Sequence, residues 1–207
     1  MATALSAALL VSISWVCLLL RRLDIERAKT DEILRGLTLV DDLTKLLNRR
    51  GFLDLARQQL AQRNERSSLV CFIDLDGLKG INDTLGHEVG DRAIAAFARV
   101  LRGMFRESDV LARLGGDEFV VLAVDSSDAN AIRARLAAEL AAFNAGATAP
   151  FELAASVGTA LSSPSSPANI EALLHEADAN VYAEKQRRKA SRLRSVRPLA
   201  HASKRAA

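Results

Sequence analysis

The sequence predicts an α+β domain behind one N-terminal transmembrane helix, and three observations predict it. From Asp41 onward, helical and strand-like segments alternate. Two strand-like segments, Asp109 to Arg113 and Glu118 to Val124, are joined through Gly115-Gly116, a dipeptide suited to a tight hairpin. Such an antiparallel hairpin in a mixed order argues for α+β or mixed α/β and against a doubly wound parallel sheet. Finally, Met1 to Leu20 carries no charged side chain, and Arg21-Arg22 follows at once.

Twenty residues at a rise of ~1.5 Å span a hydrocarbon core ~30 Å thick. Trp15 sits near one end, where interfacial aromatics gather. Arg21, Arg22, Arg27 and Lys29 then place the following chain in the cytoplasm by the positive-inside rule. The expectation is a single-pass protein of the inner membrane. A cleaved signal peptide fits less well, because no positive leader and no small-x-small site flank the apolar run. Residues 21–40 read as a charged helical linker, in which Ile33, Leu37 and Val40 fall at coiled-coil spacing over too few repeats to define a coiled coil.

Within the domain, expected at 41–190, Leu53 to Leu60 reads as helix and Ser68 to Asp74 as a continuously apolar, buried strand. Ile94, Phe97, Leu101 and Met104 mark an amphipathic helix ahead of the hairpin. Ile132, Leu136, Leu140 and Phe143 mark another, with Ser127 or Asp128 as its cap. Phe151 to Leu161 reads as a strand interrupted by Gly158. Ser162 to Pro167 is a loop, and Ile170, Leu173, Ala177 and Val181 give the last helix. Residues 191–207 read as a basic, disordered tail.

Composition narrows the function classes. A 49% hydrophobic content supports a real core, and 4% aromatics argue against stacking platforms for single-stranded nucleic acid. Cys17 and Cys71 lie in apolar runs with no metal-ligand spacing, which points to a reducing compartment. Met1 to Glu184 carries −6, so the pI of 9.1 belongs to the tail. No nucleic-acid partner is expected; the tail's Lys and Arg suit anionic lipid or a solvated coil.

Two carboxylate clusters sit where strands end. Asp74 and Asp76 close the apolar strand, and Asp117-Glu118 follows the Gly115-Gly116 turn. If the hairpin lies beside that strand, Asp74 and Asp117 converge. Carboxylates without His or Cys nearby suit a hard cation such as Mg²⁺, held by few protein oxygens plus substrate phosphates. The glycines would let a nucleotide approach the backbone. Each cluster taken alone could equally be a surface turn.

Together the segments resemble the GGDEF-domain diguanylate cyclases over about residues 41 to 190. The signature stands as Gly115-Gly116-Asp117-Glu118-Phe119 after Arg113. Asp74 to Asp83 matches the family's D-x-D-x-F-K-x-x-N-D, Gly86 to Asp91 its G-H-x-x-G-D, and Asp41 to Arg50 its D-x-L-T-G-L-x-N-R-R. The resemblance implies a nucleotidyl-cyclase fold, with a palm-like, ferredoxin-like sheet flanked by helices, condensing two GTP into cyclic di-GMP. It implies that Asp74, Asp117 and the Leu75 carbonyl ligate Mg²⁺, or Mn²⁺ in its place. Glu118 would help deprotonate the ribose 3′-hydroxyl. Asn82 and Asp91 would read guanine, and Lys79 and Lys185 would hold phosphates. Gly115 and Gly116 would admit the nucleotide. One GTP per protomer makes a homodimer necessary.

Arg106-Glu107-Ser108-Asp109 matches the family's R-x-x-D inhibitory site for its own product, with a helix-end ion pair as the plain alternative. His87 reads as structural, and His175 and His201 join no constellation. Lys45 stands where the family has Gly, and Leu78 where it has an aromatic. In the last helix Asp178, Tyr182, Lys185 and Lys189 share one side, with Lys189 in an Arg slot and Asn180, Glu184 and Arg188 replacing small residues. These departures leave a second reading, a catalytically silent receptor for GTP or cyclic di-GMP.

Overall fold

The computed structural model describes residue 15, residues 21–22, 38–62, 66–146 and 148–195. The chain divides into two units, Met1–Leu39 and Val40–Ala207. Most of the first unit, including the expected anchor and linker, lies outside the described residues. Among the described residues no helix is long and apolar enough to cross a membrane.

The second unit runs α1 (Arg49–Gln62), β1 (Ser68–Leu75), α2 (Leu78–Leu85), α3 (His87–Met104), β2 (Val110–Gly115), β3 (Glu118–Val124), α4 (Ala129–Ala145), β4 (Ala155–Ser162) and α5 (Ile170–Ser195). The four strands order as β2-β3-β1-β4, and every pairing is antiparallel. The α+β expectation holds. Strand β1 is apolar from Leu69 to Ile73 because both of its faces are covered there. Leu69, Cys71, Ile73 and Leu75 enter a core with α3 and α4, while Val70 and Phe72 enter a second core with α1 and α5. Phe97 meets Phe119 edge to face at 5.0 Å and ties α3 to β3. Burial pushes the Cys71 thiol up to about 12, which leaves it an inert core residue.

Several boundaries differ from the sequence expectation. Leu78 to Leu85 forms a helix whose eight residues are too few to show a helical period. The strand expected from Phe151 begins only at Ala155, because Asn144 on α4 grips both backbone groups of Leu153 at 2.8 and 2.9 Å. Gly158 lies inside β4 and does not interrupt it. A Cβ there would stand 1.9 Å from the Ala177 carbonyl oxygen and 2.4 Å from the Val181 amide, so glycine lets α5 lie directly on β4. The last helix runs to Ser195, past the boundary expected at 190. Of the two cap candidates, Asp128 does the work, accepting from the Asn130 and Ala131 amides at 3.0 Å each. Asn180, one of the family departures, donates to the Thr159 carbonyl at 2.9 Å, and Arg133 donates to that of Val157 at 3.2 Å. Both satisfy carbonyls along β4, an edge strand.

Lys45 has φ 57°, the left-handed region in which a Cβ is strained. That explains the family's glycine at this turn. Lys45→Gly is expected to stabilise the domain by about 0.5–1 kcal/mol, the relief of strain exceeding glycine's entropy cost. Thermal unfolding should show a midpoint roughly 1–4 °C higher; a lower one would contradict the strain.

Candidate active site

The site is assembled at the end of β1. Asp74 pairs with Glu118 in the β1–β3 register, so their side chains stand on one face of the sheet. The Leu75 amide donates to the Asp117 carbonyl at 2.9 Å, which fixes the Gly115-Gly116 turn against the strand end. The sequence expectation that the two acidic clusters converge therefore holds. Gly116 takes φ 51°, a conformation the turn needs and glycine supplies.

Arg113 is the part that sequence reasoning left without a role. Its Nε and Nη2 donate to the Gly116 carbonyl at 3.0 and 2.9 Å, and its Nη1 reaches both oxygens of Asp41 at 3.2 Å. One guanidinium thus braces the turn and ties it to the start of the domain. Burial alone would raise the Asp41 carboxyl, but hydrogen bonds from Thr44 and the Arg113 charge outweigh it and hold the carboxyl below its usual range. A depressed carboxyl contributes stability that is present above its unfolded range and lost as pH falls through the folded one. Arg113→Ala is expected to cost about 2 kcal/mol, because it leaves the half-buried Asp41 carboxylate with the Thr44 hydrogen bonds alone and removes both donors from the Gly116 carbonyl. Chemical denaturation checks this, and a loss under about 1 kcal/mol would mean the pair is only a surface contact.

Lys185 of α5 sits 2.6 Å from Asp74 Oδ1 and 3.9 Å from Asp76 Oδ1. Ser156 on β4 donates to both Asp76 oxygens at 3.0 Å. Burial first, then the Asp117 and Asp76 charges, raise the Asp74 carboxyl against the pull of Lys185. Glu118 is raised in the same way, by burial and then by Asp117, Asp178 and Asp74, with Arg49 opposing. Asp74 Oδ1 is also buried without a well-formed hydrogen bond, despite the nearby ammonium. Crowded, desolvated carboxylates fit a divalent cation. Among the described residues no three potential ligands are grouped closely enough to hold a metal unaided.

The missed helix α2 supplies a second element. Gly77 at its start has φ 81° and no side chain caps it, so its first-turn amides are left without a side-chain acceptor beside Lys79. Leu78, in the aromatic slot, is buried in the first core. Asn82 on α2 lies against α3 at Gly90, where a Cβ would stand 1.8 Å from the Asn82 Oδ1. The missing side chain brings Asn82 within one residue of the exposed Asp91. Asn82 and Asp91 thus stand at neighbouring points of the α2–α3 contact, and the signal for that contact was Gly90 in the G-H-x-x-G-D run. His87 is exposed at the first position of α3. Lys189 lies on α5 beyond the residues whose side chains are described.

Arg106 and Asp109 form a turn. The Asp109 carboxylate accepts from the Arg106 amide at 2.9 Å and from the Val124 amide at 3.0 Å. The helix-end ion pair offered as the plain alternative is replaced by these backbone bonds. Both residues also line a cavity of about 210 Å³ with Arg135.

An antiparallel sheet flanked by helices, with carboxylates gathered beside a Gly-Gly turn at the end of β1, defines an α+β domain. The family model described as diguanylate cyclase, GGDEF domain, matches residues 38–191, and the chain belongs to that family. Diguanylate cyclase TpbB of Pseudomonas aeruginosa is 41% identical over 160 residues, which cover 73% of this chain and 36% of that protein. The chain thus spans about a third of that relative's length. The solved GGDEF domain of TpbB superposes with a TM-score of 0.64 at 38% identity, covering 72% of this chain and 89% of that one. The GGDEF domain of DgcB from Caulobacter crescentus, solved with c-di-GMP, gives 0.63 at 27% identity, covering 72% and 88%.

Proposed function

We propose that the chain is a diguanylate cyclase that condenses two GTP into cyclic di-GMP and pyrophosphate. One observation carries the reading: Asp74, Glu118 and Lys185 meet on one face of the sheet, with Asp117 fixed beside them by the Leu75 amide. Asp74, Asp117 and the Leu75 carbonyl would hold Mg²⁺, with Mn²⁺ as the alternative ion. The ion would neutralise triphosphate charge and support departure of pyrophosphate. The α2 amides, Lys79 and Lys185 bind the phosphates, with Lys189 further along α5. Asn82 and Asp91 orient the guanine. Glu118, beside Asp74, is the acceptor for the 3′-hydroxyl proton. Gly115 and Gly116 keep the turn free of side chains where the nucleotide lies.

Each protomer holds one GTP, so synthesis requires two copies facing each other. Met1 to Leu20 would anchor the protein in the inner membrane, with the catalytic domain in the cytoplasm, and confinement there would raise the encounter rate. The basic tail beyond the described residues would add attraction to anionic lipid. The dimer requirement is tested by dilution. Specific activity of the detergent-solubilised full chain should fall as it is diluted a hundredfold, and a flat profile would rule out a weak dimer.

Arg106 and Asp109 are proposed as the product site. Arg106→Ala should abolish feedback by cyclic di-GMP and raise steady-state product while leaving the initial rate unchanged. Initial rates measured against added product check this; an unchanged inhibition curve would reduce the motif to the turn that Asp109 holds.

A further inference from the structure

Lys185 is seated among acids at the end of β1. Its ammonium lies 2.6 Å from Asp74 Oδ1 and 3.9 Å from Asp76 Oδ1. Asp76 follows β1 directly and is held from the β4 side. Its amide donates to the Ala154 carbonyl at 2.8 Å, and the Ser156 hydroxyl reaches both of its carboxylate oxygens at 3.0 Å. Ser156 is 1% exposed, so packing keeps that hydroxyl in place. The cyclase reading leaves Asp76 and Ser156 without a task.

Lys185 and a divalent cation make competing claims on Asp74. The ammonium already neutralises that carboxylate, and two cations on one carboxylate repel each other at short range. The Asp74 side chain is only 17% exposed, so solvent screens the conflict little. Helix α5 cannot relieve it by moving toward the sheet, because its backbone already lies against β4 at Gly158. The side chain can. Lys185 carries a compact charge on a flexible four-carbon stem, and Asp76 Oδ1 stands close enough to be reached by bond rotation in that stem. There the ammonium keeps a carboxylate partner, so leaving Asp74 strands no charge in a half-buried place.

We propose that Lys185 is the resident counter-ion of Asp74, that it passes to Asp76 when a divalent cation takes Asp74, and that Asp76 and Ser156 are the positioning residues that receive it. The proposal rests on the cyclase reading, in which Asp74 is a metal ligand. No covalent bond forms or breaks in the transfer; one ammonium exchanges one carboxylate for another. Before it, Lys185 offsets the repulsion among Asp74, Asp76 and Asp117. After it, Asp76 keeps the ammonium at the site, where the phosphates need it.

The probe is Mn²⁺ alone, without nucleotide, titrated into the detergent-solubilised full chain and followed by the electron-spin resonance of the free ion. Lys185→Met keeps the stem and removes the competing charge. Mn²⁺ should then bind about tenfold or more tightly, the scale on which a neighbouring opposite charge changes the proton affinity of a carboxylate. Lys185→Arg, which keeps a cation there, should stay closer to the wild type. Asp76→Asn should weaken Mn²⁺ binding about threefold or more in the wild-type background and less in Lys185→Met, the coupling expected when Asp76 acts through Lys185. Ser156→Ala should shift the affinity in the same direction as Asp76→Asn. Thermal unfolding of each variant verifies that the domain is folded. A Lys185→Met chain that binds Mn²⁺ no more tightly than the wild type would overturn the proposal, since ammonium and ion would then occupy separate oxygens of Asp74. Equal weakening by Asp76→Asn with and without Lys185 would overturn the transfer, because Asp76 would then act on the ion by its own charge. Cyclic di-GMP synthesis is read separately on the wild-type chain: its absence would sink the cyclase reading, while the Mn²⁺ titrations decide the exchange on their own.

Discussion

Asn in place of Asp74 is expected to lower cyclic di-GMP synthesis by about a hundredfold or more, the usual scale for deleting one electrostatic stabiliser of a transition state. Asp74 is the carboxylate around which the site is built. It pairs with Glu118 across the β1–β3 ladder, and its buried Oδ1 lies 2.6 Å from the Lys185 ammonium. The amide keeps the shape and removes the charge that would hold a cation against the triphosphate. Asp117→Asn should act in the same direction, because that residue adds charge to the same point. Folding should survive both changes, since neither side chain lies in the apolar cores. Product measured by chromatography alongside thermal unfolding separates the two effects. Wild-type rates in either variant would sink the assignment of the site.

Gly158→Ala is expected to produce the largest structural loss, about 3 kcal/mol, at the upper end for overpacking. The added Cβ would meet the backbone of α5 at Ala177 and Val181, and no side-chain rotation relieves that. Helix α5 must therefore shift away from β4, and Lys185, one turn beyond Val181, shifts with it from Asp74. Unfolding should begin roughly 6–12 °C lower, with activity reduced even in the folded fraction. A variant with an unchanged midpoint would show that the helix accommodates the methyl group by sliding.

Both results depend on features of unequal legibility in the sequence. The long elements could be read because their periodicity is strong: β1 is apolar at every position from Leu69 to Ile73, and α3 shows the stripe Ile94, Phe97, Leu101 and Met104. The acidic clusters could be read because charges ending an apolar strand are conspicuous. Helix α2 was hidden by its eight residues, and its uncapped start depends on Gly77, a turn signal in sequence terms. The bracing by Arg113 depends on a partner, Asp41, far away in the chain, so no local pattern reveals it. Gly158 read as a strand breaker, because what it makes room for is a helix backbone later in the chain. The cluster of Asp74, Asp76, Ser156 and Lys185 draws on three separate elements and became visible only once they were packed.

The most direct measurement is incubation of the full chain with GTP and Mg²⁺, followed by mass-spectrometric detection of the products. The account predicts cyclic di-GMP and pyrophosphate, formed at the expense of two GTP per product, abolished by chelating the metal and lost in Asp74→Asn. A chain that binds GTP tightly under the same conditions and releases neither product would contradict it, and the domain would then be a nucleotide receptor.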